Sequence, residues 1–168
     1  MALIIEDGTI VSGANSYASL AVLRAYATAR GITLSATDAT VEVMAIKAMD
    51  YLEAKRNQYQ GEKVSNTQEL QFPRYNLIID GFDFPANDIP NELIKAQCQL
   101  VLEVNAGNIL MPTLTEAPIK KEVIGPIETE YAVSAGNSFL PDFQAVESLL
   151  APLYKDNQSG FSLTSIRI

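Results

Sequence analysis

The chain has 168 residues, 48% hydrophobic and 19% charged, with a net charge of −8, one cysteine and no histidine. A domain of this size buries roughly 68–70% of its unfolded surface and holds a core without metal or disulfide. The acidic balance argues against a general nucleic-acid binder, whose affinity comes from Lys and Arg on phosphates, and the missing histidine removes His-assisted nucleophiles and the usual zinc sites.

In chain order, residues 2–11 (ALIIEDGTIV) predict a short strand pair or extended arm turning at Asp7-Gly8. Asn15 or Ser16 then caps a helix through about Ala29, with Leu20, Leu23 and Ala27 inward and Gly31 at its stop. Ser35-x-x-Asp38 reads as a capping box for a second helix. Its inward face is Val41, Met44, Ala45, Ala48, Met49 and Leu52, with Lys55 and Arg56 in the last turn and Tyr59 and Gly61 ending it. Residues 62–89 hold no sustained period, and Pro90 opens a third helix with Leu93, Gln97, Leu100, Val101 and Val104 on one side.

Beyond Gly107 the texture changes. Prolines 112, 118 and 126 break any helical period, and Ile127, Thr129, Tyr131 and Val133 alternate as a strand after a Gly125-Pro126 bend. A fourth helix is predicted from Pro141, with Phe143, Val146, Leu149, Leu150 and Leu153 inward and Pro152 ending or kinking it. The fold class is mainly α: a small bundle of three to four helices with a minor β or extended arm and an extended C-terminal tail. The segments are 1–110 (arm and three-helix core), 111–135 (extended arm), 136–154 (last helix) and 155–168 (tail), in one domain overall.

No motif asks for chemistry. Cys98 lies on an apolar helical pattern as a small core residue. Asp80, Asp83 and Asp88 share a loop with Asn87, but the alternating ligands and terminal glutamate of a calcium loop are missing. Glu128 and Glu130 fall on the wet face of a strand, without the context of a paired-carboxylate site. Lys47, Lys55, Arg56 and Lys63 gather near the end of the second helix, where Tyr51 and Tyr59 could stack on bases. Tyrosines at that spacing are more often half-buried packing residues. No catalytic, metal or cofactor residue is assigned. MALIIEDG is not a signal peptide, and no run of 18 apolar residues exists to span a membrane.

Five stretches together carry a resemblance: NSYASLAVLRAYATARG, the AMDYL run at Ala48–Leu52, YQG, QELQFPR and DIPNELIKAQCQL. In that order they resemble the small head–tail adaptor (head-completion, connector) proteins of long-tailed phages and their prophages. Phe72 stands where that family usually has tryptophan. KKEVIGPIETEYAV and FQAVESLLAPLY are similar to its later segments, so the likeness runs from about residue 15 to 154. Some of these relatives carry the label of a DnaT-like single-stranded-DNA-binding protein, which supplies the alternative function.

The resemblance implies a non-enzymatic virion protein of the neck, assembled in the host cytoplasm. It would form a ring, commonly twelve-fold, under the portal, extend the channel for packaged double-stranded DNA, and meet a neck or tail completion protein. Tyr59, Phe72, Pro73 and Arg74 become a loop anchor or ring interface, with Arg74 pairing a carboxylate in its own or a neighbouring subunit. Phe161, Leu163, Ile166, Arg167 and Ile168 in the tail become the portal contact.

Overall fold

The computed structural model describes residues 2–112, 121–124, 127–130 and 141–155. Among these the helices are α1 (Leu20–Thr28), α2 (Asp38–Ala54), α3 (Asn91–Asn105) and α4 (Gln144–Leu150), the last running into a 3-10 turn at Ala151–Leu153. The protein is mainly α, as its periodicity predicts. Helix α3 packs on α1, α2 and α4, burying Leu93, Ala96, Leu100 and Val101 where Val41, Ala45, Leu23, Val146 and Leu150 are also buried.

The first helix starts later than Asn15 or Ser16. Ser19 is its cap, its Oγ accepting from Val22 N at 3.3 Å, because the residues before it are claimed elsewhere. Asn15 Oδ1 accepts from Ile4 N, and the N–H groups of Tyr17 and Ala18 both go to Gln97 Oε1, at 3.0 and 2.9 Å. Gln97 Nε2 donates to Ser16 Oγ at 2.8 Å. A glutamine on the inward face of α3 thus terminates the entry segment with hydrogen bonds.

The Ser35–Asp38 capping box does not form. Ser35 Oγ accepts from Thr37 N, and the Asp38 carboxylate turns to Arg24 Nη2 at 2.6 Å. Of the strand pair or extended arm predicted at residues 2–11, the strand pair does not form. Ile5 makes only an isolated bridge with Ser16, and buried Glu6 accepts from the N–H groups of Gly8, Ile10 and Val11 at 2.9–3.0 Å. That carboxylate satisfies locally the donors a hairpin would have paired.

Residues 62–89, read as irregular, hold two small hairpins. β1 (Glu62–Lys63) pairs with β2 (Arg74–Tyr75) and closes the neck of the loop between them. β3 (Ile78–Ile79) and β4 (Phe82–Asp83) turn through Asp80-Gly81, both at positive φ (53° and 84°), as a tight two-residue hairpin requires. In the arm, β5 (Lys121–Ile124) pairs with β6 (Ile127–Glu130); the predicted Gly125-Pro126 bend and residues 131–133 of the predicted strand lie outside the described residues. Helix α4 begins at Gln144, three residues after the predicted Pro141 start, and Pro152 falls in the 3-10 turn. No helix among the described residues is long and apolar enough to cross a membrane.

Gln97→Leu keeps the volume but orphans the buried N–H of Tyr17 and leaves that of Ala18 only its 3.2 Å bond to Ser16 Oγ. Urea unfolding should report a loss of about 2–3 kcal/mol; a change under about 0.5 kcal/mol would mean the entry segment is held by packing alone.

Candidate functional site

The stretch from Tyr59 to Arg74 is seated on the bundle from within. Phe72 is fully buried, with its ring edge-on to Tyr17 (centroids 6.4 Å apart) and to Tyr59 (5.2 Å). Phe72 N donates to Tyr17 Oη at 3.0 Å, and Tyr59 Oη donates to Leu52 O at 3.0 Å. Pro73 follows Phe72 through a cis peptide and is buried too.

Arg74 is buried, and its partners are carbonyls rather than the carboxylate expected from sequence. Nε donates to Gln60 O and Nη2 to Gly61 O, each at 2.7 Å, while Nη1 reaches Gln71 O at 3.2 Å. Burial pulls its pKa below the ordinary arginine value. A carboxylate enters one step removed: Gln71 donates from N and Nε2 to the two oxygens of Glu53, at 2.9 and 3.0 Å. The fork clamps the end of α2 to the far end of the loop, inside one subunit. Tyr59, Phe72, Pro73 and Arg74 are therefore brought together as an anchor facing this chain's own core.

A second cluster joins α2 to α4. Lys55, only 4% exposed, lies 2.7 Å from Glu147 Oε1. Tyr51 Oη donates to that same oxygen at 3.1 Å, and Tyr154 Oη donates to Oε2 at 2.9 Å. Burial pushes the Tyr51 and Tyr154 hydroxyls well above the ordinary tyrosine value, reinforced by the Glu147 charge. Sequence reasoning missed Glu147. One glutamate in a short helix carries no signal beyond its spacing from Tyr154, and Lys55 reads as a solvated end-of-helix cation.

The remaining candidates disperse. Tyr51 and Tyr59 are buried, so they offer no face to a base, and Lys63 Nζ is turned to Gln68 O at 2.9 Å. Asp88 Oδ1 accepts from Ile89 N, Asp80 and Asp83 are exposed, and no three acidic or sulfur ligands converge among the described residues. Burial pushes the Cys98 thiol up to about 12, far from a reactive thiolate. The side chains of Glu128 and Glu130 and the tail residues Phe161, Leu163, Ile166, Arg167 and Ile168 lie outside the described residues.

The arrangement is built to hold shape and present surface. A family model described as "Putative DnaT-like ssDNA binding protein" matches residues 1–168. No curated protein and no solved structure matches the chain.

Two measurements check this anchoring. Phe72→Ala removes the ring between Tyr17 and Tyr59 and should cost about 3–5 kcal/mol in chemical denaturation; a cost below about 1 kcal/mol would mean the loop is not anchored there. The buried tyrosines also set an alkaline limit. Burial raises the folded pKa values of Tyr17, Tyr51, Tyr59 and Tyr154 above the ordinary tyrosine value of 10.0. Above that pH the unfolded chain loses protons that the folded chain keeps, so stability is full below pH 10 and falls as pH rises beyond it. Unfolding free energy from pH 8 to 11 should bend downward near 10, and less so in Tyr51→Phe/Tyr154→Phe.

Proposed function

We propose that this chain, which belongs to the family described as "Putative DnaT-like ssDNA binding protein", works by assembly, as a ring-forming head–tail adaptor of a phage neck, a reading that rests on its uncovered apolar surface and not on the family description. The observation that carries the reading is where apolar surface is left uncovered. Val43, half exposed, and Lys47 lie one turn apart on the outer face of α2. Ile109, 71% exposed, and Met111 line a groove of about 390 Å³ together with Lys47 and Asp50. An apolar strip with one cation and one carboxylate beside it suits side-by-side contact between copies.

On this reading the partners are neighbouring copies, the portal and a tail-side neck or tail completion protein. The portal contact is assigned to Phe161, Leu163, Ile166, Arg167 and Ile168. Packaged duplex DNA passes through the ring without specific binding, because an acidic lumen repels phosphate. The protein is not an enzyme and needs no cofactor. It sits in the virion neck after assembly in the host cytoplasm.

The family match itself favours a second reading, single-stranded-DNA binding. Its platform among the described residues would be the exposed rings of Tyr75 and Phe82, on which bases can stack. Fluorescently labelled single strands titrated at rising salt separate the readings: the DNA binder loses affinity steeply, and Tyr75→Ala/Phe82→Ala weakens it about tenfold further.

The adaptor reading is tested with the portal ring encoded in the same genome. Mass photometry of that ring with the intact protein should report a closed set of added copies, and none with protein cut after Tyr154. Equal binding by both forms would remove the tail assignment and keep the adaptor. Absence of binding alongside salt-sensitive DNA affinity would replace the adaptor with the second reading.

A further inference from the structure

The two most exposed large apolar side chains among the described residues are Phe82, 77% exposed, and Ile109, 71% exposed. Phe82 stands on the β3–β4 hairpin, directly after the Asp80-Gly81 turn. The hairpin is braced from behind. Gln60 Nε2 donates to Ile78 O at 2.7 Å, Ile78 N donates to Gln60 Oε1 at 3.3 Å, and Phe84 N donates to Leu77 O at 2.8 Å. The ring is therefore offered as a knob that needs little further ordering. Exposed carboxylates flank it, Asp80 on one side and Asp83 on the other.

Ile109 belongs to a hole. With Val104, Leu110 and Met111 it supplies the apolar lining of the groove after α3, and Lys47 and Asp50 of α2 stand beside them. This wall is fixed as well: Asn108 N donates to Glu103 O at 3.0 Å, and Asn108 Nδ2 donates to Glu103 Oε2 at 2.7 Å.

Building on the assembly between copies proposed above, we infer that Phe82 of one copy enters the Ile109–Met111 groove of the next, with Asp83 meeting Lys47. Size agrees. A cavity of about 150 Å³ admits a benzene ring, and the groove holds about 390 Å³. Charge agrees too, since the hairpin brings carboxylates to a groove whose cation is Lys47. Asp50, the groove's own carboxylate, meets the N–H of Asp83, which the register turns away from β3. Charges at such a rim set register and partner, while the covered apolar surface supplies affinity.

Knob and groove are different surfaces of one subunit. Phe82 is not among the residues lining the groove of its own chain. The hairpin leads into the N-terminal end of α3 and the groove follows its C-terminal end, with 15 helical residues, about 22 Å of helix, between them in the chain. The contact is therefore heterologous: each copy uses both surfaces, and a succession of copies closes into a ring or continues as a filament.

Two complementary variants test this by sedimentation velocity of the full chain. Phe82→Asp removes the knob and keeps the groove; Ile109→Asp/Met111→Asp removes the groove and keeps the knob. All three positions are exposed, so neither change opens the core. The intact chain should associate with rising concentration, and either variant alone should weaken that association about tenfold or more. Mixed together, the variants should form pairs and nothing larger, because one intact knob meets one intact groove. Lys47→Glu should weaken the association of the otherwise intact chain, and adding Asp83→Lys should restore it. Association lost in the groove variant but kept in Phe82→Asp overturns the inference, leaving groove against groove. An intact chain that stays monomeric, or a mixture that pairs no better than its components, also overturns it. The adaptor reading is decided separately by portal binding. If Phe82→Asp still adds a closed set of copies to the portal ring, the adaptor stands without this contact; if the variants pair as expected while the portal takes no copies, the contact stands without the adaptor.

Discussion

The burial of Phe72 between Tyr17 and Tyr59 is the contact on which the rest of the arrangement turns. Tyr17 belongs to the entry segment, Tyr59 follows the end of α2, and Tyr59 in turn forms an isolated bridge with Tyr154 after α4. One aromatic residue in a polar loop thus gathers segments far apart in sequence, each of which is otherwise short and irregular. Rings of this size bury large apolar areas and pack edge-on with defined geometry, so they fix orientation as well as supply energy. The helices provide the wall, and this triad decides how the loops are hung on it.

Around that contact, buried polar groups finish what apolar packing cannot. Gln97, Glu6, Gln68 and Arg74 each spend their hydrogen bonds on backbone groups of irregular segments, which have no helical or sheet partner of their own. No side-chain nitrogen or oxygen described as buried is left without a partner. Among the described residues, these bonds tie the irregular segments to the helices they lie against.

Much of this was readable beforehand, and the failures have identifiable causes. Helices α2 and α3 announce themselves through sustained apolar spacing, and Phe72-Pro73 stands out as apolar residues in a polar stretch. Arg74 also looked like an anchor, but its partners are main-chain carbonyls, and any residue type supplies those. The Asp7-Gly8 signal is genuine turn chemistry, yet the competing interaction is a carboxylate one residue earlier that accepts three N–H groups. Ser16 looked like a cap and is instead bound to Gln97, 81 residues away. Such pairings are decided by tertiary proximity, and local pattern carries no trace of them.

The closed neck of the loop from Gly61 to Tyr75 has a consequence for engineering. β1 and β2 pair at its base, Arg74 clamps Gln60 and Gly61 across it, and a Cβ on Gly61 would lie only 2.1 Å from Tyr75 O, so the two sides touch. The tip at Asn66 and Thr67 is exposed and takes no part in that closure. Lengthening a loop whose ends are already held together raises its closure entropy only logarithmically, by about 0.6 kcal/mol per doubling. The tip is thus a natural insertion point for an epitope or fluorophore tag, able to display foreign sequence while the core beneath it stays as it is.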